Sequence, residues 1–164
     1  MANKEKIQVV SSFDVYKNET DLSNEDRLLL MNARKSIENA YAPYSHFNVG
    51  AAVLLENGEV ICGNNQENAA YPSGLCAERV AIFYAGANYP SVKIKAIAVT
   101  CKSDHQVVNE PVTPCGACRQ AIAEYETRYN QKIKMIMTGE TGKVFIAESI
   151  DSLLPLMFNK NQLK

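Results

Sequence analysis

No apolar run in the 164-residue chain approaches the ~18 residues that a membrane-spanning helix needs, so no membrane partner is expected. A surplus of positive charge is lacking as well: 17 Lys plus Arg stand against 18 Asp plus Glu, a formal charge of −1. Proteins that live on nucleic-acid phosphates carry a basic excess, and no Lys/Arg run supplies one locally, so no nucleic acid is expected as partner. Met1–Val10 has no apolar core of a secretory leader, which makes the cytoplasm the expected location. Internal repeats, linkers and low-complexity tracts are absent, and so is a Gly-rich loop for cradling phosphate. Cysteine is sparse and odd in number: Cys62, Cys76, Cys101, Cys115 and Cys118 cannot all pair within one chain. In a cytosolic chain, closely spaced cysteines point to metal or redox chemistry rather than to disulfide staples.

What is present is ordinary globular material, 46% apolar and 21% charged, which excludes disorder as the main state. At about 150 residues per domain the length gives one domain. Residues 1–20 read as an N-terminal extension, strand-like at best, and residues 21–164 as the single folded domain.

Ser23 followed by Asp26 resembles a capping box, and Leu29, Leu30, Ala33, Ile37, Ala40 and Tyr41 recur at helical spacing until Pro43. Residues 49–56 and 59–63 are apolar runs joined by Asn57-Gly58, a strong hairpin signal. A helix is predicted from Cys76 to Ala87, stopped by Pro90, then a buried strand through Ala96-Ile97-Ala98-Val99. A polar loop, 102–114, leads to a helix over 115–128, strands over 133–137 and 143–147, and a short helix over 149–158. Five strands with helices between them predict an α/β fold, a three-layer α/β/α sandwich around a five-stranded mixed sheet.

The chemistry concentrates in Cys76-Ala77-Glu78-Arg79 and Pro114-Cys115-Gly116-Ala117-Cys118. Taken alone, Cys76 reads as a small buried hydrophobe, and Cys115-x-x-Cys118 as a metal half-site or a redox pair. Both clusters sit where a helix begins, and the positive helix end favours thiolate over thiol. Cys115 and Cys118 are one turn apart and can share one ion, with Cys76 as a third ligand that leaves a tetrahedral position open. Glu78 lies off that ligand stripe and is a candidate proton carrier, or else a first-turn carboxylate serving the helix dipole. Arg79 is either a donor to ligand sulfur or a solvated surface arginine. Cys62 and Cys101 fall on strands and read as buried thiols.

These two clusters, with Arg119-Gln120 after the second, resemble the cytidine deaminase family in its small homotetrameric, zinc-dependent branch, over about Leu28 to Phe158. The general signature is that of the zinc nucleobase deaminases. The resemblance implies one zinc ion per chain on Cys76, Cys115 and Cys118, Glu78 as proton shuttle, and Arg79 offsetting the charge of the third thiolate. It implies that Phe47 packs on the base and that Asn65 and Glu67 bind ribose hydroxyls, with Tyr71 and Ala77 also at the substrate. It implies further that Phe158 reaches a neighbouring subunit's site in a homotetramer. The implied activity is hydrolytic deamination of the nucleosides cytidine and deoxycytidine, a step of pyrimidine salvage. The rivals are a blasticidin S-type deaminase, a Cys-x-x-Cys thiol oxidoreductase, and a closed four-cysteine zinc site that borrows Cys62 or Cys101.

Overall fold

The computed structural model describes residues 4–163. Its strands are β1 (Asp14–Tyr16), β2 (Phe47–Leu55), β3 (Val60–Asn64), β4 (Ile94–Ser103), β5 (Lys134–Thr138) and β6 (Val144–Ala147). They form one sheet in the order β1-β6-β5-β4-β2-β3. Only β4 and β5 run parallel; the other neighbours are antiparallel. The crossover between β4 and β5 carries helix α3 (Gly116–Tyr129), as a parallel pair requires a long connection.

The sheet has six strands, where the sequence pattern predicts five. The sixth is β1, three residues of the N-terminal extension laid along the outer edge of β6, with Phe13 stacked against Phe145 at 6.2 Å. A three-residue strand with mixed exposure carries no periodicity to read. Glu19 pairs with Arg34 of helix α1 (Asn24–Ser36), tying this edge to the body of the fold.

Helix α1 covers one face. Ser23 caps it by accepting the Asp26 amide (3.1 Å) and donating to the Asp26 carboxylate (2.8 Å), the box expected from sequence. Leu29, Leu30 and Ala33 bury against Ala52, Ala98 and Ile136. The opposite face takes α3 and helix α2 (Ala77–Asn88), through Ala81, Ile82 and Ile122 against Val53, Ile97 and Met135. Each such Ile or Leu contributes roughly 1.5–3 kcal/mol by leaving water. The hairpin turns at Gly58 with φ +87°, the conformation its Asn-Gly pair announces.

The expected closing helix over 149–158 is instead a single 3₁₀ turn, Ile150–Ser152. Pro155 supplies no amide, and Leu156 adopts φ +56°, so the run cannot continue. Cys101 is buried as expected, whereas Cys62 is exposed, because β3 is an edge strand.

Two glycines set how closely the helices approach the sheet. A Cβ on Gly50 would meet the Ala33 carbonyl oxygen at 2.0 Å, and one on Gly63 the Ala77 carbonyl oxygen at 2.5 Å. Gly63 thus fixes the height of the first turn of α2. Gly63→Ala is expected to lift that turn and to cost about 1–3 kcal/mol, as overpacking does, in an equilibrium denaturation measurement. An unchanged midpoint would show that α2 has room to spare.

Candidate metal centre

Cys76 and Cys115 are the N-cap residues of α2 and α3, so two helix N-termini converge on one point. Neither cap side chain accepts a backbone N–H of its own helix, so neither sulfur is used up in capping. Cys76 Sγ lies 3.7 Å from Cys115 Sγ, and Cys115 Sγ lies 3.5 Å from Cys118 Sγ. Sulfurs held tetrahedrally at ~2.3 Å from a zinc ion stand about 3.8 Å apart, so the cluster is close to the right size for one such ion. It is the one cluster of three or more metal-ligating groups among the described residues.

The charges call for a cation as well. Hydrogen bonding from Cys118, aided by Arg79, lowers Cys76 to about 5. That same hydrogen bond, with burial and the Glu78 charge, pushes Cys118 upward. One thiolate forms readily and resists a second beside it, until a metal ion neutralises both. Arg79 donates through Nη2 to Cys76 Sγ at 3.7 Å and to the Gly74 carbonyl at 3.5 Å. Its Nε is buried without a partner among the described residues. That guanidinium thus ties the sulfur of Cys76 to the loop just before α2.

Glu78 is only 4% exposed, and burial pushes its carboxyl above the usual carboxylate range, with the Cys76 charge adding to the rise. Its burial sets it apart from a first-turn carboxylate that serves the helix dipole from solvent. It lines a cleft of about 630 Å³ together with Cys76, Cys115 and Arg79. Neither Cys62 nor Cys101 joins the sulfur cluster, which disposes of the four-cysteine site. Cys115 and Cys118 do not stand alone as a redox pair either, since Cys76 is about as near.

The other expected residues fall into two groups. Phe47, Asn65, Glu67 and Tyr71 all line the same cleft. Asn65 is 9% exposed, and its amide accepts from Val49 N–H (2.8 Å) and donates to the Phe47 carbonyl (2.9 Å). It thereby fixes the strand that presents Phe47, and keeps one N–H and one lone pair for a ligand. The Glu67 carboxylate accepts from the amides of Tyr44 (2.9 Å) and Ser45 (3.2 Å). Hydrogen bonding by the Ser45 side chain and these amides holds Glu67 below the usual carboxylate range. Ala77 is fully buried and Phe158 is 56% exposed; neither lines the cleft within this chain.

Two contributors have no signal in the sequence pattern. Tyr44 and Ser45 act through backbone amides, which side-chain identity does not report. Val112 and Thr113 reach the cleft because the 102–114 loop is strapped to the β5–β6 turn, where Glu140 N–H donates to the Val108 carbonyl at 2.7 Å.

Residues 23–133 match the model of the cytidine and deoxycytidylate deaminase zinc-binding region. The cytidine deaminase of Sporosarcina psychrophila is 40% identical over 135 residues, covering 82% of this chain and 92% of that protein. The crystal structure of cytidine deaminase from Burkholderia pseudomallei superposes with a TM-score of 0.70 at 36% identity, covering 84% of this chain and all of that one. A blasticidin-S deaminase from Bacillus cereus is 29% identical, covering 86% of this chain and 97% of that protein. With a sulfur triad of zinc-binding size, a buried carboxyl beside it and a match over most of its length, the chain belongs to the cytidine and deoxycytidylate deaminase family.

Proposed function

We propose that this chain hydrolyses cytidine and deoxycytidine to uridine and deoxyuridine with release of ammonia, as a zinc enzyme of pyrimidine salvage in the cytoplasm. The observation that carries the reading is the Glu78 carboxyl, buried beside three sulfurs at the wall of a nucleoside-sized cleft. Zinc on Cys76, Cys115 and Cys118 supplies the Lewis acidity that makes water a nucleophile near neutral pH. Glu78 takes a proton from the attacking water and delivers it to N3 of the base as C4 becomes tetrahedral. Glu78 then takes the proton of the new C4 hydroxyl and hands it to the C4 amino nitrogen, which departs as ammonia as the C–N bond breaks and the C4 carbonyl forms. Its upward-shifted pKa suits a group that must hold and release a proton. Arg79, donating to Cys76 Sγ, offsets part of the charge of three thiolates.

Phe47 offers an aromatic face to the base, and Asn65 and Glu67 take ribose hydroxyls, with Tyr71 bordering the substrate and the buried Ala77 behind the cleft wall between Cys76 and Glu78. Residues 1–20 form an extension to a single deaminase domain, and the working form is a homotetramer in which Phe158 of one copy reaches the site of another. The half-exposed Phe158, with its carbonyl held by Gln120 Nε2 at 2.8 Å, supports that role.

Free nucleoside is favoured over deoxycytidylate by the cleft's charge. Among the described residues its sole lining cation is Arg79, already engaged with sulfur, and Glu67 adds a carboxylate that stays ionised. A 5′-phosphate finds no counter-charge there. Ammonia release from cytidine, deoxycytidine, deoxycytidylate and blasticidin S, measured side by side, tests this. Turnover of the first two is expected; exclusive turnover of either of the others would overturn the assignment.

A further inference from the structure

Arg119 begins as an electrostatic misfit. It lies in the first turn of α3, where the helix end is already partially positive and a cation is unfavourable. Its guanidinium turns back onto oxygens instead. Nε donates to the Pro114 carbonyl at 2.7 Å, Nη2 to Thr113 Oγ1 at 3.2 Å, and Nη1 to the Leu153 carbonyl at 2.8 Å. Its own backbone N–H donates to the Cys115 carbonyl at 2.9 Å. One residue therefore holds the carbonyls of Cys115 and of Pro114 before it, and joins both to the C-terminal segment.

Cys115 needs that support more than its partners do. Cys118 is buried within α3 and Cys76 carries the Arg79 contact, whereas Cys115 is exposed at the end of the long 102–114 loop. Among the described residues, the hydrogen-bond partners of Cys115 Sγ are the other two sulfurs alone. We propose that Arg119 is a positioning residue for Cys115: its planar fork pins Thr113-Pro114 against the Leu153 carbonyl and so fixes the third sulfur of the metal site. The C-terminal segment thereby becomes part of the support of the metal centre, although its side chains do not ligate. Only a guanidinium presents three such donors in one plane; a lysine ammonium reaches fewer of these acceptors at once.

The proposal rests on the three-cysteine zinc reading, and the test separates the two. Wild-type protein purified without metal must first contain zinc; a zinc-free wild type overturns the site itself. Arg119→Gln, Arg119→Lys and Thr113→Val are then compared for zinc release to a chromogenic chelator and, after cobalt substitution, for thiolate-to-cobalt absorption. Arg119→Gln is expected to release zinc ~10–100-fold faster, the range that loss of an outer hydrogen-bond partner costs, with weaker thiolate absorption. Its kcat is expected to fall more than its KM rises, because Phe47, Asn65 and Glu67 stand on other elements. Arg119→Lys is expected to recover part of each loss, and Thr113→Val to show a smaller one. If Arg119→Gln does not fold, the Lys and Val variants carry the same readings. Wild-type release rates and cobalt spectra in the variants that fold would overturn the role of Arg119, whatever their activity.

Discussion

The Glu78→Gln protein is expected to bind zinc at the wild-type level and to release ammonia from cytidine about 10²–10⁴-fold more slowly, the usual worth of a positioned acid–base group. The reasoning is geometric before it is chemical. Glu78 sits one position past the first residue of α2, and the close approach of that helix at Gly63 holds its first turn against β3. Burial there raises the carboxyl pKa, which favours holding a proton taken from water until it passes to the base. The amide of Gln keeps the size and a hydrogen-bonding oxygen but has no proton to shuttle. Because Glu78 is not one of the three clustered ligating groups, metal content is expected to stay constant. Full turnover with Gln at 78 would remove the shuttle; loss of zinc would make Glu78 a ligand or a structural support.

Cys118→Ala is expected to have the second large effect, on metal and stability together. Cys118 is completely buried, with its sulfur 3.5 Å from Cys115 Sγ in the three-sulfur cluster. With one thiolate gone, two sulfurs remain, and zinc affinity is expected to fall by more than the ~100-fold upper figure for an outer-partner loss. An ion held by Cys76 and Cys115, 39 residues apart in sequence, would join α2 to α3, so its loss would also remove a cross-link. A ligand that binds only the folded state stabilises it by mass action. A chelator is therefore expected to lower the melting temperature of the wild type and to leave that of Cys118→Ala unmoved. Retention of zinc by the variant, or an equal chelator response in both proteins, would contradict the three-sulfur site.

The three-sulfur cluster is legible in the sequence because its cysteines fall at helix starts with one-turn spacing, and both helices begin within a residue of the expected positions. The layers were legible for the same kind of reason. Leu29, Leu30 and Ala33 mark a helical stripe, and Asn57-Gly58 marks a two-residue hairpin turn. What stayed hidden depends on backbone atoms or on distant partners. Tyr44 and Ser45 hold Glu67 by their amides, and Glu126 accepts from Ile133 N–H, Ile150 N–H and Ser149 Oγ, joining three segments. No residue spacing encodes such bonds. The false helix at 149–158 arose from a leucine-rich run in which Pro155 weighed too little, and β1 is too short for alternation to register.

Metal and substrate chemistry meet in one sample. Protein purified without added metal, analysed for zinc by mass spectrometry and assayed for ammonia release from cytidine, tests the central claim most directly. About one zinc per chain is expected, as a site of three protein ligands requires, with activity that disappears when a chelator strips the ion and returns when zinc is restored. Cytidine turnover that persists in zinc-free protein would contradict it.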